Sequence, residues 1–192
     1  MLRALVGLGA LAGLLAASGG LRAADPAARA VAAYLGAAER VRHDASQLAG
    51  QIAPAHPEVA EIVRRSLRYL DPEEVDERAA AVFSRHMSAA DLEAFGAFMA
   101  TPLGKRVGET FRANLEPGSL EAAFAKYPPS DTGELDRFFA SAPAQNALAA
   151  ISGEQWQQTW QAYGEILACR YFTHEDPKAL AAAQQKGRCL VP

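Results

Sequence analysis

Proline placed directly after a helix-capping side chain is the feature that most constrains this chain. It occurs at Asp25-Pro26, Asp71-Pro72, Thr101-Pro102 and Asp176-Pro177. A carboxylate or hydroxyl at the N-cap accepts the free N–H groups of a first turn, and proline suits the first helical position because it has no N–H to satisfy there. The residue before each proline is driven out of helical geometry, so the same pair ends whatever helix came before. The chain is therefore cut into short helices with fixed starting points. Capping-box spacing marks further starts at Asp71 with Glu74, Ser88 with Asp91, Asp131 with Glu134, and Ser152 with Gln155.

Between these marks the apolar residues recur at helical spacing. Val31, Tyr34, Leu35, Ala38, Val41, Leu48 and Ile52 form one stripe, and Val59, Ile62, Val63, Leu67 and Leu70 the next. Val75, Ala79, Val82 and Phe83 follow, then Leu92, Phe95 and Met99, then Leu103, Val107 and Phe111. Leu135, Phe138 and Phe139 precede the last long stripe, Trp156, Trp160, Tyr163, Leu167 and Tyr171. No alternating strand pattern competes with them. Half of the residues are hydrophobic, enough for a core, although alanine buries little area and leaves packing to the larger side chains. The expectation is an all-α protein, an antiparallel multi-helix bundle of about seven to eight short helices.

The stretch Tyr127-Pro128-Pro129-Ser130-Asp131-Thr132-Gly133 suits a turn better than a helix interior. It divides residues 24–128 from 129–192, the two regions being expected to pack as one domain. A faint echo crosses it. Ser88-x-x-Asp91-Leu92-x-x-Phe95 matches Asp131-x-x-Glu134-Leu135-x-x-Phe138, and Phe98-Met99-Ala100-Thr101-Pro102 matches Phe138-Phe139-Ala140-Ser141-Ala142-Pro143 with a slip in register. Two related helical hairpins would give this pattern, and so would any two capped amphipathic helices.

Residues 1–23 have the makeup of a secretory signal peptide. Arg3 is followed by an uncharged apolar run to Ala17, and Ser18-Gly19-Gly20-Leu21-Arg22-Ala23 offers a cleavage site near Ala23. The run is shorter than the roughly 20 residues that span a bilayer, so no stable membrane span is expected after cleavage. Removing Arg3 and Arg22 and no acid leaves 17 basic against 22 acidic residues, a mildly acidic balance that argues against nucleic acid as a partner. Arg64, Arg65 and Arg68 cluster, in the manner of a solvated helix edge. The two cysteines, Cys169 and Cys189, lack the close spacing of a redox motif and read as a structural disulfide in an exported protein. For the bridge to close, the last helix must end by Gly187 and the tail fold back, or the two helices must cross steeply.

Val82-Phe83-Ser84-Arg85-His86-Met87-Ser88, Asp91-Leu92 and Phe98-Met99-Ala100-Thr101-Pro102-Leu103-Gly104-Lys105 carry a family resemblance. Residues about 73–115 resemble a bacterial, usually exported family of unknown function, domain-of-unknown-function family two-thousand-and-fifty-nine. Met99 stands where that pattern commonly has an aromatic. The resemblance implies a periplasmic helical domain and brings no activity with it. Physically, Phe95, Phe98, Thr101, Pro102 and Gly104 describe a tight corner: Thr101 caps the helix opened by Pro102, and Gly104 admits a close backbone approach.

Recognisable reaction centres are not evident. Gly104-Lys105 lacks both the glycine five positions earlier and the following hydroxyl of a phosphate loop, and His174-Glu175 lacks the second histidine of a zinc-protease helix. His43, His56, His86 and His174 are dispersed, so no catalytic, cofactor or metal residue is assigned. The aromatic face Trp156, Trp160 and Tyr163 remains. It reads either as a core seam against the helices carrying Phe138, Phe139 and Phe111, or as the wall of an apolar groove. Tryptophans fully buried with no adjoining cavity would leave only the seam. The functional expectation is a non-enzymatic periplasmic module that binds an envelope protein, a peptide or an apolar ligand. The competing class is an envelope-acting enzyme whose site is assembled only in the fold.

Overall fold

The computed structural model describes residues 25–116 and 118–189; the signal-peptide reading falls outside them. The described residues form eleven α-helices and one 3-10 turn, with no strand among them. In order these are α1 (Pro26–Tyr34), α2 (Ala37–Ile52), α3 (Pro57–Ser66), the 3-10 turn Leu67–Tyr69, α4 (Pro72–His86), α5 (Ala89–Ala100), α6 (Pro102–Ala113), α7 (Ser119–Phe124), α8 (Pro129–Phe139), α9 (Ala142–Ser152), α10 (Glu154–Glu175) and α11 (Pro177–Gln185). The architecture is all-α, and the helix count exceeds the seven to eight expected.

One extra helix has a clear physical reason. The stripe Val31–Ile52 breaks at Gly36, whose φ of 68° is left-handed. A Cβ there would lie 2.8 Å from Cγ of Arg112, so the site requires both the backbone freedom and the missing side chain of glycine. The segment read as a turn around residue 130 instead starts α8 at Pro129.

Five caps hold as their residue types dictate. Asp25, Asp71, Thr101 and Asp176 accept from the N–H groups of Ala27, Glu73, Gly104 and Ala179 at 2.8–3.0 Å. Ser88 and Asp91 form a reciprocal box. Three expected boxes do not form. Asp131 lies inside α8, where Arg106 donates to it at 2.5 Å. Ser152 donates back to the Leu148 carbonyl at 2.9 Å, leaving Gly153 as the cap. Glu74 turns away from Asp71 to accept from Arg78 at 2.7 Å and to pair with Arg170 at 2.8 Å. Burial opposes the charge on Glu74, but the bonds from Arg78 and Arg170 outweigh it and hold its carboxyl below the usual range.

One core cluster draws on residues from Ala28 to Leu167 and so on both sides of residue 128. α1 lies against α4, α5 and α6, with Ala28, Val31, Ala32 and Tyr34 buried. At the α5–α6 corner, Thr101 Oγ1 donates to the Phe98 carbonyl at 2.8 Å. A Cβ on Gly104 would lie 2.8 Å from the Phe98 carbonyl carbon and 2.9 Å from Met99 Cα. At the α8–α9 corner, Ser141 Oγ donates to the Phe138 carbonyl in the same way, at 2.6 Å. The aromatic anchors of the two corners, Phe98 and Phe138, stack face to face with centroids 3.6 Å apart, and Phe95 meets Phe138 edge-on at 5.2 Å. Leu48 and Val59, expected in core stripes, are instead 51% and 46% exposed.

The C-terminal pair is locked covalently. Cys169 of α10 and Cys189 form a disulfide with Cα atoms 5.3 Å apart. Of the two geometries that allow this, the tail folds back. α11 ends at Gln185, Gly187 adopts φ 72°, and the N–H groups of Gly187 and Arg188 donate to the carbonyls of Gln184 and Ala183, a Schellman termination. No helix among the described residues is long and apolar enough to cross a membrane.

Candidate functional site

The long helix α10 packs on α3, α4, α9 and α11. Between α10, α3 and α2 an open groove of about 580 Å³ remains, within the range of small-molecule pockets. Trp156, Trp160, Tyr163 and Gly164 border it from α10, Ile62 and Val63 from α3, and Val41 and Leu48 from α2. The gap opens because α3 packs on both α2 and α10, while α2 and α10 make little contact with each other. Exposed Leu48 sits at that lip.

The three aromatics hold different places. Trp156 is 9% exposed and packs on Phe83 of α4 at 5.9 Å, so the seam partner is Phe83 rather than Phe138, Phe139 or Phe111. Trp160 meets it edge-on at 4.9 Å, and its buried Nε1 has no hydrogen-bond partner among the described residues. Tyr163 is fully buried. Its hydroxyl accepts from the Asp71 N–H at 3.2 Å, and the Arg78 guanidinium lies over its ring at 4.8 Å. Burial raises the Tyr163 pKa. The face is thus both packed into the core and next to a cavity. Gly164 breaks its aromatic character in mid-helix, and a methyl there would meet nothing within 4 Å.

A second cavity of about 540 Å³, more polar than the first though also bordered by Leu48, Leu115 and Leu120, adjoins the groove. Arg40, His43, Asp44, Gln47, Asn114 and Glu116 line it, and Arg40, Asp44 and Leu48 border both cavities. Inside it, Gln47 Nε2 donates to Glu116 Oε1 at 3.2 Å, and His43 Nε2 lies 3.6 Å from the same oxygen. Sequence reasoning missed this cavity. Its only trace in the sequence is the i, i+4 run Arg40, Asp44, Leu48 at the edge of a stripe read as core.

Elsewhere, several charged groups have structural partners. Arg65 and Arg64 pair with Glu61 at 2.8 and 3.6 Å, and Arg68 pairs with Glu175 at 2.8 Å. Tyr69 donates to Glu175 at 2.9 Å and stacks on His174, which ties the 3-10 turn to the end of α10. Asp76 of α4 is the strongly perturbed acid. Burial first, then the nearby charge of Glu39, push its pKa up to about 6, and it lines none of these cavities. No group of three His, Cys, Asp or Glu side chains among the described residues could hold a metal ion. Compared with protein-family models, with curated proteins and with solved structures, the chain finds no match.

Proposed function

We propose that this chain is an exported, non-enzymatic helical module that works in the periplasm and holds an apolar ligand or peptide segment between α2, α3 and α10. The apolar opening itself carries the reading: Leu48, Ile62, Val63, Trp156 and Trp160 border it, and nothing fills it beside Gly164. A glycine inside a helix costs about 1 kcal/mol relative to alanine, and at Gly164 no neighbouring atom forbids the larger residue. Gly50, Gly96 and Gly133 are equally unhindered in their helices, so what sets Gly164 apart is its place on the groove beside two tryptophans. The compartment is supported by the charged start and apolar run of residues 1–23 and by the Cys169–Cys189 bridge, since structural disulfides persist in oxidising spaces.

The neutral fluorophore N-phenyl-1-naphthylamine tests the groove. The protein is expected to bind it saturably, and Gly164→Leu to weaken that binding at least tenfold while leaving the urea midpoint no lower. A wild type that fails to bind the dye, or a leucine variant that binds it equally well, overturns the proposal. For the compartment, intact chain found in the cytosol with both thiols free would do the same.

A further inference from the structure

The groove is apolar along α3 and α10, but along α2 it meets the more polar cavity at Arg40, Asp44 and Leu48. These three residues stand four apart on one stripe of one helix, so a single molecule can lie with one end in each cavity. Arg40 differs from its peers. The other half-buried arginines each have an acceptor: Arg78 has Glu74 at 2.7 Å, Arg170 has Glu74 at 2.8 Å, and Arg112 has the Tyr34 carbonyl at 3.4 Å. Arg40 is half-buried too, yet among the described residues its guanidinium has neither ion pair nor hydrogen bond. Acids do stand nearby. Asp44 and Glu165 are exposed and solvated, and Glu116 is already engaged by Gln47 and His43. A second unpartnered donor, Nε1 of Trp160, is on a residue that borders the same groove, although the atom itself is buried. The half-buried polar groups left over are therefore donors, and one of them carries a positive charge.

Building on that groove reading, we propose that the occupant is a monomeric single-chain amphiphile with an anionic head, a long-chain carboxylate. Its chain lies along Ile62, Trp156 and Trp160, and its carboxylate accepts from Arg40. The guanidinium fork matches a carboxylate in a way that an ammonium would not, and the bond strengthens where both groups are partly withdrawn from water.

Both tryptophans of the chain border the groove, so intrinsic fluorescence reports its occupancy. The disulfide-intact protein is titrated at pH 7.5 with dodecanoate, dodecanol and dodecyltrimethylammonium, each below its micelle concentration. Dodecanoate is expected to bind about tenfold or more tighter than dodecanol, as suits a hydrogen bond to a charged group. Affinity should rise about fourfold per methylene from octanoate upward. Arg40→Met should abolish the preference for the acid and leave dodecanol binding unchanged, which also shows that the variant is folded. Equal affinity for acid and alcohol, a preference for the ammonium, or an Arg40→Met that weakens both ligands alike overturns the head assignment while the groove stands. Failure of all three to bind overturns the groove reading with it.

Discussion

One substitution, glycine to alanine, made at two helical positions should move stability in opposite directions. At Gly108 of α6 the new methyl would sit 2.6 and 2.8 Å from Cε2 and Cδ2 of Tyr34. Carbon atoms in contact prefer 3.5–4.0 Å, so about 1 Å must be found. Tyr34 cannot easily supply it. Its hydroxyl donates to the Gly104 carbonyl at 2.6 Å, and its ring is wedged edge-on against Phe95 at 5.7 Å and tilted on Phe111 at 6.4 Å. Overpacking of this kind costs about 1–3 kcal/mol, and the better helix propensity of alanine returns about 1 kcal/mol. Gly108→Ala is therefore expected to destabilise by about 1 kcal/mol and lower Tm by roughly 2–4 °C. At Gly164 the methyl meets nothing, only the propensity gain remains, and Tm should rise by a similar amount. Urea unfolding followed by circular dichroism, at constant m, measures both. In a Tyr34→Leu background, itself less stable, Gly108→Ala should cost much less than in the wild type, a coupling that a double-mutant cycle isolates. Shifts of the same sign at the two glycines would refute the reasoning.

Two further outcomes follow from the charges and the bridge. Asp76 has a folded pKa of about 6 against an ordinary 3.8, so the native state holds its proton more tightly than the unfolded chain. Its penalty is absent below about pH 4, grows as pH rises, and is complete above about pH 6. Asp76→Asn should raise stability at pH 7.5 by about 1 kcal/mol, a figure reduced for partial solvent screening, and give no gain at pH 4. Equal gains in urea midpoint at both pH values would contradict this. α11 contributes no buried residue, so reducing Cys169–Cys189 should release residues 177–189 to rapid amide exchange while α10 around Tyr163 stays protected. The core should lose less than the roughly 3 kcal/mol that closing such a loop gives when the whole chain unfolds. Loss of the entire helical signal on reduction would rule that out.

The punctuation of the chain was legible where it is local. Asp25, Asp71, Thr101 and Asp176 cap because capping and proline geometry involve only neighbouring residues. Asp131 misled because its carboxylate is claimed by Arg106, 25 positions away in sequence. Gly36 gave no warning because a lone glycine can sit inside a helical stripe, and the Arg112 side chain that leaves no room for a Cβ there is brought over it only by the fold. The α10 wall of the groove was readable from Trp156, Trp160 and Tyr163. The opposite wall was not. Periodicity says which residues share a face but not what covers that face, so Val41, Leu48 and Ile62 read as core like any other stripe. Arg40 likewise became informative only once its neighbours could be seen to leave it without an acceptor.

The fold-back tail bears on what the bridge does for the molecule. The core cluster ends at Leu167, and the helix beyond it adds nothing to that cluster. The apolar assembly therefore does not depend on the bridge, and the two cysteines of the sequence admit one intramolecular pairing. Oxidation acts as a fastening on a shape that the core sets, with no wrong partner within the chain to sort out.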